Sequence, residues 1–505
     1  MLEAYAKRIL AARVYDLAVE TPLSPAPMLS TRLGNEVLIK REDLQPVHSF
    51  KVRGAYNRIA RLSEEERGRG VIAASAGNHA QGVALAAKHL GIRATIVMGR
   101  NAPEIKVDAV RAHGAQVVQH GESYDAAAEH ARALQAEHGQ TWVPPFDDVD
   151  IIAGQGTVGA EILKQRRGPL HAIFVPVGGG GLVAGIAAWV KYLAPEVQVI
   201  GVEAEGSACL HAARLADRRV KLARDSLDLF ADGVSVAQVG KETWKVARRH
   251  VDDVVTVTTD EICAAVKDVF EDTRALSEPA GALSIAGMKK WVQQTGTSGR
   301  TLVAINSGAN VNFDRLRHIA ERAEVGEQRE AILAVTIDEK PGSFARFCRA
   351  IGTRAVTEFN YRYSGDAAAQ VFVGLATRSG EDREAIAAGL RDKGYSVVDM
   401  TDNEMAKVHV RHLVGGRNAA VGEEQLFRFE FPERPGALMK FLRVLGRRWN
   451  ISLFHYRNHG AAWGRVLVAF QAPAAERRAL HDALGNTAMR YWEETDNPAY
   501  ARFLS

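Results

Sequence analysis

Cysteine is nearly absent from the 505 residues: Cys209, Cys263 and Cys348 lie far apart and form no Cys-x-x-Cys pair. That excludes a disulfide framework or a zinc cluster as the means of holding the fold, and no metal site is expected. Net charge is lacking too, since 64 Lys and Arg against 60 Asp and Glu leave only +4; neither a nucleic-acid nor a membrane-surface partner is implied. The first ten residues carry Glu3, Lys7 and Arg8 in a helical pattern in place of an apolar leader, so a cytoplasmic protein is expected. One long uncharged run exists. Ala172 to Val190 has the length of a membrane span, but Pro176 and four consecutive glycines interrupt it, and it reads as a buried strand, loop and helix.

A chain of this length holds roughly two to four compact units. Between Val37 and Val311, short β-branched runs such as VIAAS (71–75), ATIVM (94–98), AIFVPV (172–177), VQVIGVE (197–203) and TLVAIN (301–306) alternate with Ala-rich helical stretches. This alternation predicts an α/β domain, with parallel sheets covered by helices on both faces. After Asn312 the texture changes. A charged helical segment (315–330) leads into a region that repeats itself: LAVTIDEKPGSFARF (333–347) returns as FRFEFPERPGALMKF (427–441), and TEFNYR (357–362) as ISLFHYR (451–457). Pro341 and Pro435 are 94 residues apart, Tyr361 and Tyr456 95, which marks two copies of one folding unit. Each copy follows the βαββαβ order of a ferredoxin-like unit. The expected division is 1–325, 326–410 and 411–505.

Four segments of the first part carry residues suited to chemistry. In SFKVRGA (49–55), Lys51 follows Phe50. A lysine beside an aromatic ring loses solvation, its pKa falls, and its amine becomes available for an imine with a carbonyl cofactor; a lysine taken singly is more often a solvated surface charge. SAGNHAQG (75–82) lies between a predicted strand and a predicted helix, where small residues and a helix N-terminus let N–H groups approach an anion such as a carboxylate. Asn78 there can bond a ring hydroxyl, while His79 is more often a structural partner. VGGGGL (177–182) offers four residues without side chains, a nest for phosphate. Gly179-x-Gly181-x-x-Ala184 also satisfies the dinucleotide fingerprint, with Glu203 near the expected distance, so by itself the loop suits a nicotinamide dehydrogenase as well. NSGAN (306–310) ends a predicted strand, and Ser307 either points its hydroxyl into a cleft or is an ordinary turn serine.

Taken in this order, Lys51 in SFKVRGA, the SAGNHAQG turn, the VGGGGL loop and the NSGAN end resemble the fold-type II (tryptophan-synthase β-like) pyridoxal-phosphate enzymes, in the branch that dehydrates threonine and serine. EDLQPVHSFKVRGA (42–55) and SGANVNFDRLR (307–317) extend the match, and the C-terminal doublet resembles the two ACT-like regulatory domains of the long biosynthetic threonine deaminases. The resemblance implies that Lys51 carries pyridoxal 5'-phosphate, Phe50 lies against its ring, and Asn78 contacts the ring hydroxyl oxygen. Gly178, Gly179, Gly180, Gly181 and Leu182 would hold the phosphate, and Ser307 would face the pyridine nitrogen. Ser75, Ala76, Gly77, Asn78 and His79 would hold the substrate carboxylate. Glu278, in SEPAGA (277–282), is a weaker candidate, because a carboxylate before Pro279 can instead cap the following helix.

The activity so implied is a lyase that converts L-threonine to 2-oxobutanoate and ammonia at the entrance to isoleucine synthesis, with L-serine as a second substrate. Isoleucine would inhibit it, valine would oppose that inhibition, and the assembly would be a homotetramer. A serine, unlike an aspartate, serves a neutral ring nitrogen, so the electron sink is weaker and expulsion of a β leaving group is favoured over transamination or racemisation. Arg354, Glu358, Tyr361, Arg362, His455 and Tyr456, on the repeated strands, are candidate effector or interface contacts, with packing or ion pairing inside the sheet an equal reading. The rivals are a serine dehydratase or racemase of the same fold, a β-replacement enzyme that captures its intermediate with a nucleophile, and, from another class, a catalytically silent amino-acid sensor.

Overall fold

The computed structural model describes residues 1–100, 102–121, 123–223, 227–362, 368–403, 406–407, 410–412, 423–432, 437–445, 448–457, 463–487, 489–497 and 500. They form two compact units, Met1–Ala323 and Glu324–Ser505.

The first unit holds ten strands: β1 (Leu23–Pro25), β2 (Glu36–Arg41), β3 (Val71–Ala74), β4 (Ala94–Met98), β5 (Gln116–Gln119), β6 (Thr141–Trp142), β7 (Ala172–Pro176), β8 (Gln198–Ala204), β9 (Asp253–Val257) and β10 (Thr301–Asn306). Six make one sheet in the order β1-β2-β10-β7-β8-β9, parallel except at β1, and four make a second, wholly parallel sheet in the order β5-β4-β3-β6. Every residue of β7 and β10 is buried, as the apolar runs require of strands covered on both faces. Because β10 and β7 are parallel neighbours, Ser307 and Gly178 leave the sheet at the same edge, the edge where open α/β sheets bind ligands. The uncharged run from Ala172 is β7, a loop and the helix Gly181–Leu193. Among the described residues no helix is long and apolar enough to cross a membrane.

The helix Lys51–Ile59 is held on two sides. A Cβ on Gly154 would lie 2.7 Å from the Gly54 Cα, so this helix meets the helix Val149–Gln165 backbone to backbone, an approach that needs glycine on both. Beneath it, fully buried Arg53 pairs with Glu42 (2.7 Å) and Glu161 (2.6 Å), and Lys40 adds a second cation to Glu161 (2.6 Å).

The second unit is one antiparallel sheet of β11 (Glu330–Asp338), β12 (Val356–Arg362), β13 (Ala368–Ala376), β14 (Ser396–Asp399), β15 (Glu424–Pro432), β16 (Asn450–Arg457), β17 (Trp463–Gln471) and β18 (Arg490–Glu493), in the order β14-β11-β13-β12-β16-β17-β15-β18. Each half is the βαββαβ unit expected from the repeat, and the halves join through β12 and β16, with Phe359 opposite Tyr456 and Tyr361 opposite Phe454. Aromatic side chains that include Phe344, Phe347, Phe359, Phe441 and Phe454 fill its core. Gly342, at φ +87°, turns the chain from β11 into the helix Ser343–Ile351; the matching turn at Pro435 lies outside the described residues.

Candidate active site

Lys51 opens its helix, and the segment before it is fastened to the end of β10. The Phe50 N–H donates to the Ser307 carbonyl (3.3 Å), the Ala309 N–H donates to the His48 carbonyl (2.9 Å), and Ser49 bridges Gly308. Two motifs far apart in sequence thus meet. The Lys51 Nζ donates to the Pro145 carbonyl (3.2 Å) and lies 5.2 Å from the centre of the Phe50 ring. Burial pulls its pKa down to about 8 against the opposing influence of the Glu278 charge.

From β3, the turn 75–77 enters the helix Asn78–His89, which passes so close that a Cβ on Gly82 would sit 3.3 Å from the Lys51 carbonyl. Ser75 Oγ accepts from the Gly77 N–H (3.2 Å), and a Cβ on Gly77 would have nothing within 4 Å; the turn is open. Asn78 Nδ2 donates to Glu278 Oε1 (2.6 Å) while its Oδ1 accepts from Asn310 Nδ2 (2.8 Å). Glu278 occupies the N-cap position of the helix Pro279–Thr295 without capping it; the carboxylate faces Asn78 instead. Burial, then the charge of Asp232, raises its pKa to about 7. The His79 side chain has a different task. Its Nε2 donates to the Val143 carbonyl (2.9 Å), and burial, then Lys51, hold the imidazole down at about 3, so the ring is neutral and structural. What His79 can offer an anion is its backbone N–H.

The glycine loop is bare on the side that matters. A Cβ on Gly179 would lie 2.2 Å from the Phe146 ring, and one on Gly178 would lie 3.0 Å from Val234. Behind the loop, the Gly179 carbonyl accepts from the Gly240 N–H (3.1 Å) and from Thr243 Oγ1 (2.8 Å). Gly180 takes φ +92°. Among the described residues the N–H groups of Gly178 to Gly181 donate to no carbonyl, and the helix Gly181–Leu193 begins there, adding its positive end. Leu182 is buried in the core under that helix, which leaves it only a backbone role. Ser307 Oγ, also buried, lies 3.3 Å from the Ala280 carbonyl. Glu203 removes the dinucleotide alternative: its buried carboxylate accepts from the Leu210 (2.8 Å) and His211 (2.7 Å) N–H groups and is not available to a ribose.

Phe146 and Pro145, which join Lys51 to the glycine loop, carried no signal in VPPFDDVD. Asn310 did, as the second asparagine of NSGAN.

In the second unit the six candidates separate. Arg354 pairs with Asp382 (2.8 Å), Glu358 with Arg411 (3.0 Å) and Arg362 with Glu424 (2.5 Å), so these three carry ion pairs inside the unit. His455 and Tyr456 lie on β16 opposite Asn360 and Phe359. Tyr361 lines a small cleft with Ser343, Phe344, Trp449, Ile451 and Phe470, and its hydroxyl donates to Glu339 (2.8 Å).

A family profile described as "Pyridoxal-phosphate dependent enzyme" matches residues 14–308, and one described as "C-terminal regulatory domain of Threonine dehydratase" matches twice, at 321–410 and 415–504. The chain is similar to L-threonine dehydratase biosynthetic IlvA of Burkholderia multivorans, 54% identical over 504 residues and 99% of each chain. It is 52% identical to the protein of that name from Escherichia coli, over 99% of this chain and 97% of that one. Among solved structures, the processed form of threonine deaminase isoform 2 from Solanum lycopersicum matches with a TM-score of 0.63 at 48% identity, covering 64% of this chain and 88% of that one. Maize serine racemase matches with a TM-score of 0.59 at 32% identity, covering 62% and 95%.

Proposed function

Because the chain belongs to the family of biosynthetic threonine dehydratases, pyridoxal-phosphate enzymes with a C-terminal regulatory region, we propose that it converts L-threonine to 2-oxobutanoate and ammonia, the first step toward isoleucine, and accepts L-serine as a second substrate. The observation that carries this reading is the convergence of the Lys51 segment, the Asn78 helix, the glycine loop and Ser307 around one buried amine. The residues suit pyridoxal phosphate. Phe146 leaves no space for a Cβ at Gly179, so the loop must be glycine there, and its N–H groups, which donate to no carbonyl among the described residues, suit a phosphate ester. When bound, the group supplies an electron sink for charge left at the substrate Cα.

Lys51 would hold the group through its amine, and that amine would then take the substrate Cα proton. Gly178 to Gly181 would anchor its phosphate, Asn78 would offer a donor to its ring oxygen, and the Ser307 hydroxyl would face its ring nitrogen. The N–H groups of Ser75 to His79, at the positive end of their helix, orient the substrate carboxylate. Only the unprotonated amine attacks a carbonyl. Uptake of pyridoxal phosphate onto Lys51 by the apoprotein is therefore expected to accelerate with pH and level off above about 8, where an unshifted lysine would still be accelerating beyond 10.5; stopped-flow absorbance across that range measures it.

The catalytic part alone does not separate a dehydratase from a racemase; the two C-terminal copies do. For them we assign isoleucine as inhibitor and valine as its antagonist, in a cytoplasmic homotetramer. The cleft beside Tyr361 supports an amino-acid ligand: its lining sets Phe344, Ile451 and Phe470 beside Asp338, Glu339 and Lys340, and among the described residues Ser343 Oγ is buried without a partner at the first turn of the helix Ser343–Ile351. Turnover of threonine and serine by the full chain, with and without each effector, tests both halves. Isoleucine should inhibit and valine restore activity, and deletion after Arg329 should abolish both responses while threonine turnover persists. Racemised serine in place of 2-oxobutanoate from threonine, or inhibition that survives the deletion, would refute the corresponding half.

A further inference from the structure

Asn310 heads a chain of hydrogen bonds that runs through Asn78 to Glu278. Its Nδ2 donates to the Val47 carbonyl (2.8 Å) and to Asn78 Oδ1 (2.8 Å), and Asn78 Nδ2 donates to Glu278 Oε1 (2.6 Å). We propose that Asn310 is the positioning residue for the Asn78 carboxamide, fixing which of its two ends the active site meets.

The direction of the chain of bonds follows from donor chemistry. A backbone carbonyl only accepts, so the Asn310 atom beside Val47 must be the NH2 nitrogen. That nitrogen has one proton left, and the Asn78 atom it reaches must therefore be the oxygen. Asn78 is left with its own NH2 to direct at Glu278 Oε1 and at the space in front of Lys51. Turning the Asn78 amide over would set NH2 against NH2 on one side and oxygen against carboxylate on the other, losing two hydrogen bonds at a half-buried position. The Val47 carbonyl, just before the Lys51 segment, thereby sets the polarity of a side chain on the helix Asn78–His89.

The consequence rests on the pyridoxal-phosphate reading, in which Asn78 faces the ring oxygen. A donor stabilises negative charge on that oxygen, whereas an amide oxygen would oppose it. Asn310→Asp keeps the shape and removes the donor. The carboxylate repels the Val47 carbonyl and draws the Asn78 NH2 to itself, so Asn78 then offers its oxygen to the site.

The test is a double-mutant cycle on the full chain, with Asn310→Asp in the parent and in an Asn78→Ala background. Two readouts are taken: the dissociation constant for pyridoxal phosphate, and the pH midpoint of the holoprotein's visible absorption band. Asn310→Asp is expected to weaken cofactor binding about tenfold in the parent, the worth of one charge-assisted hydrogen bond, and to move the band midpoint. In the Asn78→Ala background the loss should fall below about twofold and the midpoint should stay where Asn78→Ala alone puts it. Equal losses in both backgrounds, or none in either, would overturn the proposal. If the aspartate variant does not fold, Asn310→Ala removes the donor without adding charge, and the same comparison between backgrounds decides the matter. Failure of the underlying reading shows separately, as absence of any pyridoxyl adduct on Lys51 in the parent protein.

Discussion

Lys51→Ala is expected to lower kcat for threonine by at least about a thousandfold and to abolish the pyridoxyl adduct that hydride reduction leaves on the parent protein. A positioned general base is worth roughly 10² to 10⁴ in rate, and here the same amine also carries the covalent attachment, so both contributions vanish together. No neighbour can replace it. His79 is neutral and committed to the Val143 carbonyl (2.9 Å), and Glu278 is held by Asn78 (2.6 Å). The glycine loop is untouched by the substitution, so the variant should still bind pyridoxal phosphate without the covalent link, and its spectrum should resemble a free aldehyde or an adduct with added amino acid. Peptide mass after hydride trapping, set beside steady-state turnover, measures both effects. Turnover near the parent's, or an adduct on another lysine in the parent, would remove the basis for every role assigned around position 51.

How far the sequence reveals this site depends on whether a residue's role is local. The glycine run at 178–181 and the small-residue turn at 75–77 are legible because their chemistry is their own backbone, set by the strand before and the helix after. Lys51 is legible from its motif, but its lowered basicity comes from burial, against the opposing charge of Glu278, more than two hundred residues away. Glu278 shows the limit well. Its place before Pro279 suits a helix cap, and only the fold reveals that the carboxylate faces Asn78. Phe146 could not be found at all, because its importance is the space it denies to any side chain at 179. In the C-terminal unit the 94-residue offset marked two copies with one order of elements, whereas only the fold shows that Tyr361 packs into the core. The pairing partners of Arg354, Glu358 and Arg362 come from Asp382, Arg411 and Glu424, which lie 28, 53 and 62 residues away along the chain, and no local pattern connects them.

The other large effect lies beneath the catalytic helix. Arg53→Leu should destabilise the catalytic unit by about 3 to 5 kcal/mol, the range for removing one partner from a buried ion network. The reason is stoichiometry. Arg53 and Lys40 balance Glu42 and Glu161 in a fully buried cluster; without Arg53, two carboxylates share one lysine, and among the described residues Glu42 keeps Thr21 (2.5 Å) and Gln45 (3.2 Å) as side-chain donors. The pH dependence should also change sign. In the parent, burial pushes the Glu42 carboxyl up, but the charge and hydrogen bonds of Arg53 outweigh it and hold the group below the usual carboxylate range. A depressed carboxylate contributes stability above its unfolded pKa and loses it as pH falls through the folded value. In Arg53→Leu the burial is opposed only by the weaker influences of Thr21 and Lys40, so the Glu42 pKa rises above its unfolded value and protonation relieves the buried charge; the variant should gain stability as pH falls from neutral, and the deficit against the parent should shrink. Urea unfolding of parent and variant holoproteins at neutral and mildly acidic pH measures this, and a deficit that is small or independent of pH would show that Glu42 and Glu161 do not rely on Arg53. Because Arg53 lies two residues from Lys51 on one helix, the same substitution lets that helix move against Gln155 and Ile151, which crowd Gly54. A loss of kcat in the fraction that stays folded would therefore reflect a displaced amine, since Arg53 touches neither substrate nor cofactor.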